Sequence, residues 1–196
     1  MKTISKTLLL AILALTIMSC GSSDNDTTNP CETLDSPVTQ AFATFIANNT
    51  DYIDEADWMD LETHQYSIQI NTNGDICSIG YQNPAAYTGS YTMEIIAPNG
   101  TYTGVHTFSQ TATQYISIPT IPVTSGDVVI VRRTIQPGYT SLNETVGRAI
   151  RRTNSAPIPF PLTVANVTFL SSTFYGAGGP VNDIAIPYIA FGFTAI

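Results

Sequence analysis

Six carboxylates fall within twelve residues of this chain, around its single tryptophan. They are Asp51, Asp54, Glu55, Asp57, Asp60 and Glu62. Calcium takes hard oxygen ligands of this kind, so Asp54, Asp57 and Asp60 are candidate calcium ligands. Their spacing lacks the alternating ligands and the glycine of an EF-hand loop. A solvated acidic edge that deters sheet-edge pairing explains the cluster as well, and no other cofactor is expected.

Catalytic residues show no recognisable spacing. The histidines, His64 and His106, lie in predicted strands with no H-x-x-x-H or C-x-x-C pair beside them, and no G-x-S-x-G turn marks a nucleophile. Carboxylates for glycoside hydrolysis could come from the acidic cluster together with Asp127 or Glu144, but nothing fixes their separation. We therefore predict that the protein is not an enzyme. A glycan-cleaving activity is the second alternative.

Positive charge is concentrated late in the chain. After residue 19 every cation is an arginine, and all five lie between Arg132 and Arg152. Guanidinium groups bind carboxylate or sulfate through paired hydrogen bonds, so Arg148 and Arg151 are candidate ligand-binding residues. Pairing with the chain's own acidic excess is the alternative. Arg132 and Arg133 are adjacent in a predicted strand, so they must point to opposite faces.

Aromatic side chains in predicted loops and turns could form a flat platform for sugar rings. The candidates are Trp58, Tyr87, Tyr91, Tyr139 and Tyr175. Tyrosine is also an ordinary strand and rim residue, which is the competing interpretation. The fifteen carboxylates of the chain would repel a phosphate backbone, so no nucleic-acid partner is expected.

The N-terminal segment predicts the cellular location of the protein. Two lysines precede an apolar run over residues 8–18 that is too short to cross a bilayer, and the run ends in Ile17-Met18-Ser19-Cys20. This ending resembles the bacterial lipobox, whose cysteine is lipidated and becomes the first residue of the mature protein. The resemblance implies a signal peptide over residues 1–19 and a lipid anchor on Cys20 that holds the protein at a membrane. An ordinary signal peptide or a buried helix is the alternative.

The lipidated cysteine and a flexible tether are predicted over residues 20–34. Residues 21–30 contain no aliphatic or aromatic side chain and cannot offset the entropy of ordering. Their serine and aspartate content resembles the tethers of lipoproteins exported to the outer face of the outer membrane in some Gram-negative bacteria. The resemblance implies an outer-membrane protein exposed at the cell surface. A periplasm-facing position is the alternative.

Two cysteines remain if Cys20 carries lipid. Cys31 and Cys77 form an even pair in an oxidising compartment, where disulfides persist. A bridge would close a loop of about 46 residues and stabilise the fold by on the order of 4 kcal/mol on the chain-entropy model. Two unpaired thiols, with Cys77 buried in a strand, are the alternative.

One short amphipathic helix is predicted near the start of the domain. Ser36 is a suitable N-cap and Pro37 a suitable first helical residue. Apolar residues then recur on one face at helical spacing, and Asn48-Asn49 can end the segment. These apolar residues are Val38, Ala41, Phe42, Phe45 and Ile46. An extended arm is the competing interpretation.

The rest of the chain alternates at the strand period. Residues 66–70 and 76–81, joined by Asn73-Gly74, predict a β-hairpin, and Asn99-Gly100 predicts a second one. Further strands are predicted over residues 115–118, 128–135, 162–170 and 184–193. Pro187 interrupts the last of them and favours a sheet edge or a bulge. About eight short strands with one helix at most predict a single all-β domain over residues 35–196, an antiparallel β-sandwich of jelly-roll type.

Three consecutive motifs carry a family resemblance. They are GDICSIGYQ, YTMEIIAPNGTYTG and IPTIPVTSGDVVIVRRTI. Their order resembles a bacterial β-sandwich domain of unknown function, found in surface and secreted proteins and often beside adhesion or carbohydrate-active modules. The matching positions are Gly74, Ile76, Ile79, Gly80, Tyr81, Pro122, Val123 and Gly126. The resemblance covers residues 66–135, implies a fold and a surface setting, and transfers no catalytic residue.

Together these features predict a lipid-anchored lipoprotein of the cell envelope. We expect it to act as a non-catalytic binding or adhesion module, with a glycan as its ligand and the membrane reached through the lipid anchor. The first alternative is a structural or accessory subunit of a cell-surface complex, with another surface protein as the partner.

Overall fold

The computed structural model describes residue 31 and residues 37–196. The predicted signal peptide, Cys20, most of the tether and the Ser36 cap lie outside these described residues. Within the described part of the chain, no helix is both long enough and apolar enough to cross a membrane.

One α-helix and thirteen strands make up the described chain. The helix α1 spans Pro37–Asn48, and a short 3-10 turn spans Leu142–Glu144. The strands are β1 (Tyr52–Trp58), β2 (Thr63–Ile70), β3 (Gly74–Tyr81), β4 (Tyr91–Ala97), β5 (Gly100–His106), β6 (Gln114–Val123), β7 (Val128–Ile135), β8 (Gly147–Arg152), β9 (Leu162–Val164), β10 (Val167–Tyr175), β11 (Val181–Asn182), β12 (Ala185–Pro187) and β13 (Ala190–Ala195).

The strands pair antiparallel in three sheets. The large sheet has the order β11-β10-β2-β7-β4-β5, with β9 also paired to β10. The two small sheets have the orders β1-β8-β12 and β13-β3-β6. Buried side chains of the large sheet, such as Ile68 and Val131, share one apolar cluster with Ile76 and Ile150 of the small sheets. The predicted all-β antiparallel sandwich is confirmed, and its core lies between these layers.

The predicted helix is also confirmed, and it packs against β13. Ala41, Phe42 and Phe45 are buried, as their helical spacing requires. The Phe42 ring stacks on Tyr188 with ring centres 4.6 Å apart and meets the Phe169 ring at 5.3 Å. Helix α1 therefore joins the large sheet to the connection between β12 and β13.

The hairpin predicted at Asn73-Gly74 is wrong. Strand β2 pairs with β7 and β10, whereas β3 pairs with β6 and β13, so the two strands lie in different sheets. Gly74 does not have the positive φ that a hairpin turn of this kind would need. A side chain at Gly74 would collide with Phe193 and the Thr194 carbonyl, so glycine is required for the close approach of β13. The second predicted hairpin, β4 with β5, is confirmed.

Two other strand predictions need correction. Residues 162–170 are not one strand, because the chain turns after Val164 and β9 pairs back onto β10. Residues 184–193 form β12 and β13, which belong to different sheets. Pro187 lies in the edge strand β12, in agreement with the predicted edge position. Strands β1 and β8 were not expected at all.

A disulfide joins Cys31 to Cys77, with Cα atoms 5.3 Å apart. Cys77 lies in β3, and the Cys31 backbone packs on Gly192 of β13. A Cβ at Gly192 would lie 2.6 Å from the Cys31 carbonyl oxygen, so this contact requires glycine. Cys31 is therefore fixed to the sheet β13-β3-β6, in the layer opposite the large sheet.

Candidate functional site

The outer face of the large sheet carries a regular array of polar side chains. In β2, the side chains of His64, Tyr66, Ile68 and Ile70 are buried, and the residues between them face outward. Residues that pair across strands share a face of the sheet. The register of the neighbouring strands therefore determines which side chains lie side by side on the outer surface.

Three rows of paired residues cross five strands, β10, β2, β7, β4 and β5. The first row is Tyr175, Thr63, Thr134, Thr92 and Val105. The second is Thr173, Gln65, Arg132, Glu94 and Thr103. The third is Ser171, Ser67, Ile130, Ile96 and Thr101. Hydroxyl groups dominate the rows and Gln65 adds an amide, so this surface offers many hydrogen-bond donors and acceptors.

Hydrogen bonds hold these side chains in place. The Thr63 and Thr134 hydroxyls lie 2.9 Å apart. Arg132 donates from Nε to Gln65 at 2.8 Å and from Nη1 to Glu94 at 3.0 Å. Each of these contacts joins neighbouring strands. The donors and acceptors of the outer face are therefore ordered before any ligand arrives, which lowers the entropic cost of binding.

Two depressions lie beside the first row, next to Thr134. One, of about 290 Å³, is lined by Thr63, Arg132, Thr134 and Tyr175. The next, of about 520 Å³, is lined by Glu62, Thr134, Ile135, Pro137, Gly138 and Tyr139. Thr134 lines both depressions, so they are neighbouring parts of a shallow concave surface, and a tyrosine lines each part.

Tyr139 is positioned by an acidic neighbour. Its hydroxyl donates a hydrogen bond to Glu62, and this bond raises the pKa of Tyr139. Tyr175 is 41% exposed at the end of β10. These two members of the predicted tyrosine platform do line neighbouring parts of one surface.

The placement of Tyr87 and Tyr91 in that platform is wrong. Both side chains are buried in the core, and their rings meet at a centre-to-centre distance of 5.1 Å. Tyr91 begins β4 with its side chain inward, and Tyr87 donates a hydrogen bond to the Ser90 carbonyl at 3.0 Å. Burial of apolar ring area outweighs solvation of a single hydroxyl at such positions. Trp58 is half-buried in β1, in a small sheet.

The arginines predicted to bind a ligand are occupied within the protein. Arg148 donates from Nε to Asp54 at 2.9 Å, and its guanidinium lies 3.8 Å from the ring centre of Tyr188. Arg151 pairs with Glu55 and lies over the Trp58 ring at 4.3 Å. Arg148 and Arg151 therefore both pair with carboxylates of the chain itself, which is the alternative given for them in the sequence analysis. The hydrogen bond to Asp54 raises the pKa of Arg148.

These pairs also explain the acidic cluster. Asp54, Glu55 and Asp57 lie in β1, which is an edge strand, so they occupy the protective position expected of charges at a sheet edge. Among the described residues, no three His, Cys, Asp or Glu side chains lie close enough together to hold a metal ion. Both Asp54 oxygens accept from Arg148. Calcium at Asp54, Asp57 and Asp60 stays a prediction without support from this geometry.

His64 lies on the inner face of the large sheet, fully buried. Its Nε2 is 3.1 Å from the Met59 carbonyl oxygen, and Arg133 Nη2 is 2.9 Å from its Nδ1. Burial, together with the charge of Arg133, holds the pKa of His64 well below 6.5. The imidazole is therefore neutral in the folded protein at neutral pH.

We expect acid to destabilise the fold through His64. The unfolded chain binds a proton near pH 6.5, whereas the folded protein resists it. Between that pH and the lower folded-state pKa, the free energy of unfolding should fall as the pH falls, by up to about 1.4 kcal/mol per pH unit. Denaturant unfolding between pH 7 and 5 measures this slope. His64→Gln should reduce it and His106→Gln should retain most of it, because His106 is only partly buried. Equal slopes in all three proteins would contradict this assignment.

Sequence reasoning missed Thr63, Thr92 and Thr134 as candidate site residues. The alternation in residues 66–70 showed that one face is polar, but it did not show which strands lie beside β2. The first row exists only because β2, β7 and β4 are neighbours, a relation between segments that are distant in sequence.

The fold and this surface define an all-β antiparallel sandwich with a polar, concave outer face on its large sheet. No family model matches the chain, and neither a curated protein nor a solved structure matches it. The resemblance to surface β-sandwich domains stays a prediction.

Proposed function

We propose that this protein is a lipid-anchored binding module of the outer membrane, exposed at the cell surface, which holds a glycan on the outer face of its large sheet. The observation that carries this proposal is the outer face itself. Its rows of hydroxyl groups border the shallow concave surface that Tyr139 and Tyr175 line. No catalytic step is part of the proposal.

The chemistry of a sugar matches that of this surface. Sugar hydroxyls both donate and accept hydrogen bonds, and so do the threonine, serine and glutamine side chains of the rows. A tyrosine ring offers an apolar face and a polar edge, which suits the alternating C–H and O–H groups of a pyranose. The exposed ring of Tyr175 lies beside Thr63 and Thr134, so both kinds of contact are available in one depression.

Charge favours a neutral glycan over an acidic one. Arg132 is the cation of the three rows, and Glu94 neutralises it at 3.0 Å. Glu62 lines the adjoining depression, and Asp60 lies beside Glu62 in a further one. A uronic acid or sulfated sugar would meet this excess of negative charge, so it should bind less well.

The tether would direct the binding face outward. Cys31 is fixed to β3 and β13, in the layer opposite the large sheet. If Cys20 is acylated, the eleven residues from it to Cys31 span at most roughly 40 Å. The chain would enter the domain on the layer away from the outer face of the large sheet, which would leave that face accessible to ligands.

Binding to a glycan array of neutral and acidic polysaccharides tests the proposal, using the mature chain with Cys20→Ser. We expect binding to neutral polysaccharides. Arg132→Gln should weaken it about tenfold or more, because hydrogen bonds to charged groups contribute about 1.5–3 kcal/mol. Thr134→Val should weaken it less, since it removes one neutral hydroxyl and keeps the shape of the side chain.

Matched controls separate binding from folding. Arg152→Gln and Thr120→Val make the same changes on strands β8 and β6 of the small sheets, and they should leave affinity unchanged. Absence of binding across the array, or equal losses in test and control variants, would count against the proposal. Mass spectrometry of the membrane fraction tests the anchor, and an unmodified amino terminus at any residue other than Cys20 would remove it.

A further inference from the structure

Arg133 carries a full positive charge into the core of the sandwich. It lies on β7 with Val129, Val131 and Ile135 in the inward-facing series, and none of its surface is exposed. Arg132, the next residue back, points outward because side chains alternate along a strand. Burial of a charge is costly unless a counter-charge accompanies it. The groups around Arg133 therefore determine how much its burial destabilises the fold.

The polar groups in contact with the Arg133 guanidinium are all neutral. Nη2 donates to the Thr145 carbonyl at 2.6 Å and lies 2.9 Å from Nδ1 of His64. Nη1 donates to the Glu62 backbone carbonyl at 3.4 Å. The guanidinium carbon lies 4.9 Å from the ring centre of Tyr91. Carbonyl dipoles and ring faces offset part of the free-energy cost of removing the guanidinium from water. They do not neutralise its positive charge.

The ion pairs of the described residues lie elsewhere. They join Arg132 to Glu94, Arg148 to Asp54 and Arg151 to Glu55. Within the described chain no carboxylate oxygen lies within 4.0 Å of Arg133, so its charge has no direct counter-charge there.

Three buried polar groups around this charge have no acceptor for their own hydrogen among the described residues, although the Tyr81 hydroxyl itself accepts a hydrogen bond from Arg133. They are Nε of Arg133 and the hydroxyls of Tyr81 and Tyr91. Each can donate a hydrogen bond. A buried donor without an acceptor is rare in native proteins, and an ion or a water molecule is a common explanation.

The three groups belong to one cluster. The rings of Tyr81 and Tyr91 meet edge to face with centres 5.2 Å apart. A Cβ at Gly147 would lie 2.5 Å from the Tyr81 hydroxyl and 3.0 Å from Nη2 of Arg133, so both groups converge on the backbone of Gly147. Because Gly147 has no side chain, the Tyr81 hydroxyl and the Arg133 guanidinium can both lie next to its backbone.

We infer that this cluster is a buried binding site for one small monovalent anion, such as chloride, held by Nε of Arg133 and the hydroxyls of Tyr81 and Tyr91. The anion supplies the missing counter-charge and accepts hydrogen bonds from all three donors. A water molecule would accept from the donors but would leave the charge unbalanced.

Thermal unfolding of the full chain in sodium chloride, bromide and gluconate, at one ionic strength, tests the site. An anion that binds only the folded protein raises Tm by mass action, so Tm should be several degrees higher in the halides and should rise with halide concentration. Tyr91→Phe keeps the ring and removes one donor, and it should reduce this rise. Tyr102→Phe removes a hydroxyl that bonds His106 instead, and it should leave the rise unchanged.

Crystals grown in bromide give a second measurement that depends on no variant. An anomalous peak within hydrogen-bond distance of Nε of Arg133 supports the proposal. A water molecule at that position, without anomalous signal, overturns it. The same halide response in Tyr91→Phe as in the unmodified protein also overturns it, because the response would then come from general salt effects.

Discussion

Phe42→Ala is expected to lower the free energy of unfolding by about 3–5 kcal/mol, the range for removing a fully buried phenylalanine ring. Phe42 is 0% exposed and contacts three other aromatic rings. Its ring centre lies 4.6 Å from that of Tyr188, 5.3 Å from Phe169 and 6.0 Å from Tyr66. The alanine would leave a cavity between α1, the large sheet and the β12–β13 connection, and rigid strands on both sides limit how far it can collapse.

Denaturant unfolding at fixed pH measures this loss, and Tm should fall on the order of 10 °C for a domain of this size. Thr44→Ala is the matched control, because Thr44 is exposed on the same helix and should change stability by less than about 0.5 kcal/mol. A cost of 1 kcal/mol or less for Phe42→Ala would mean that α1 does not hold the layers together.

The helix shows what the sequence could predict well. Apolar residues at helical spacing define the buried face of a helix regardless of what packs against it. The burial of Ala41, Phe42 and Phe45 could therefore be predicted from the local pattern. The same holds for the alternation in β2 and for the fold class, because many short alternating segments with one helix have few ways to bury their apolar faces.

Strand partners could not be predicted in this way. Asn73-Gly74 has the composition of a hairpin turn, yet β7 and β10 occupy both edges of β2 and exclude β3. Competition among distant segments for hydrogen-bonding edges decides this pairing, and turn propensity is the weaker influence. Strand β1 was missed for a related reason. Its sequence, YIDEADW, does not alternate apolar and polar residues at the strand period, but Arg148 and Arg151 of β8 pair with its carboxylates across the sheet.

The candidate site was predicted in part. Tyr139 and Tyr175 were identified by residue type, and both lie on the concave surface. Tyr87 and Tyr91 were assigned to the same platform and are buried, because composition alone does not tell whether a tyrosine before a strand faces inward. The burial of Arg133 could not be predicted from the sequence beyond the fact that it must face away from Arg132. Inward-facing strand residues are usually apolar, so a buried arginine is not expected.

Loss of the disulfide is expected to cost about 4 kcal/mol. The bridge closes a loop of 46 residues, and cross-linking that loop removes conformational entropy from the unfolded chain. The folded state should change little, because Cys77 is held by β6 and β13 on either side of β3. The effect should therefore appear as a lower denaturant midpoint, with the fold of the large sheet unchanged.

Comparing the oxidised mature chain carrying Cys20→Ser with its Cys31→Ala/Cys77→Ala derivative measures this cost. The oxidised protein should show no free thiol after unfolding, and reduction should lower its stability to that of the double variant. A reductant should not affect the double variant, which separates bridge cleavage from other effects of the reagent. Two titratable thiols in the unreduced protein would mean that the bridge is absent. Since the bridge fixes Cys31 to the layer opposite the large sheet, its loss should leave the outer face of the large sheet unchanged.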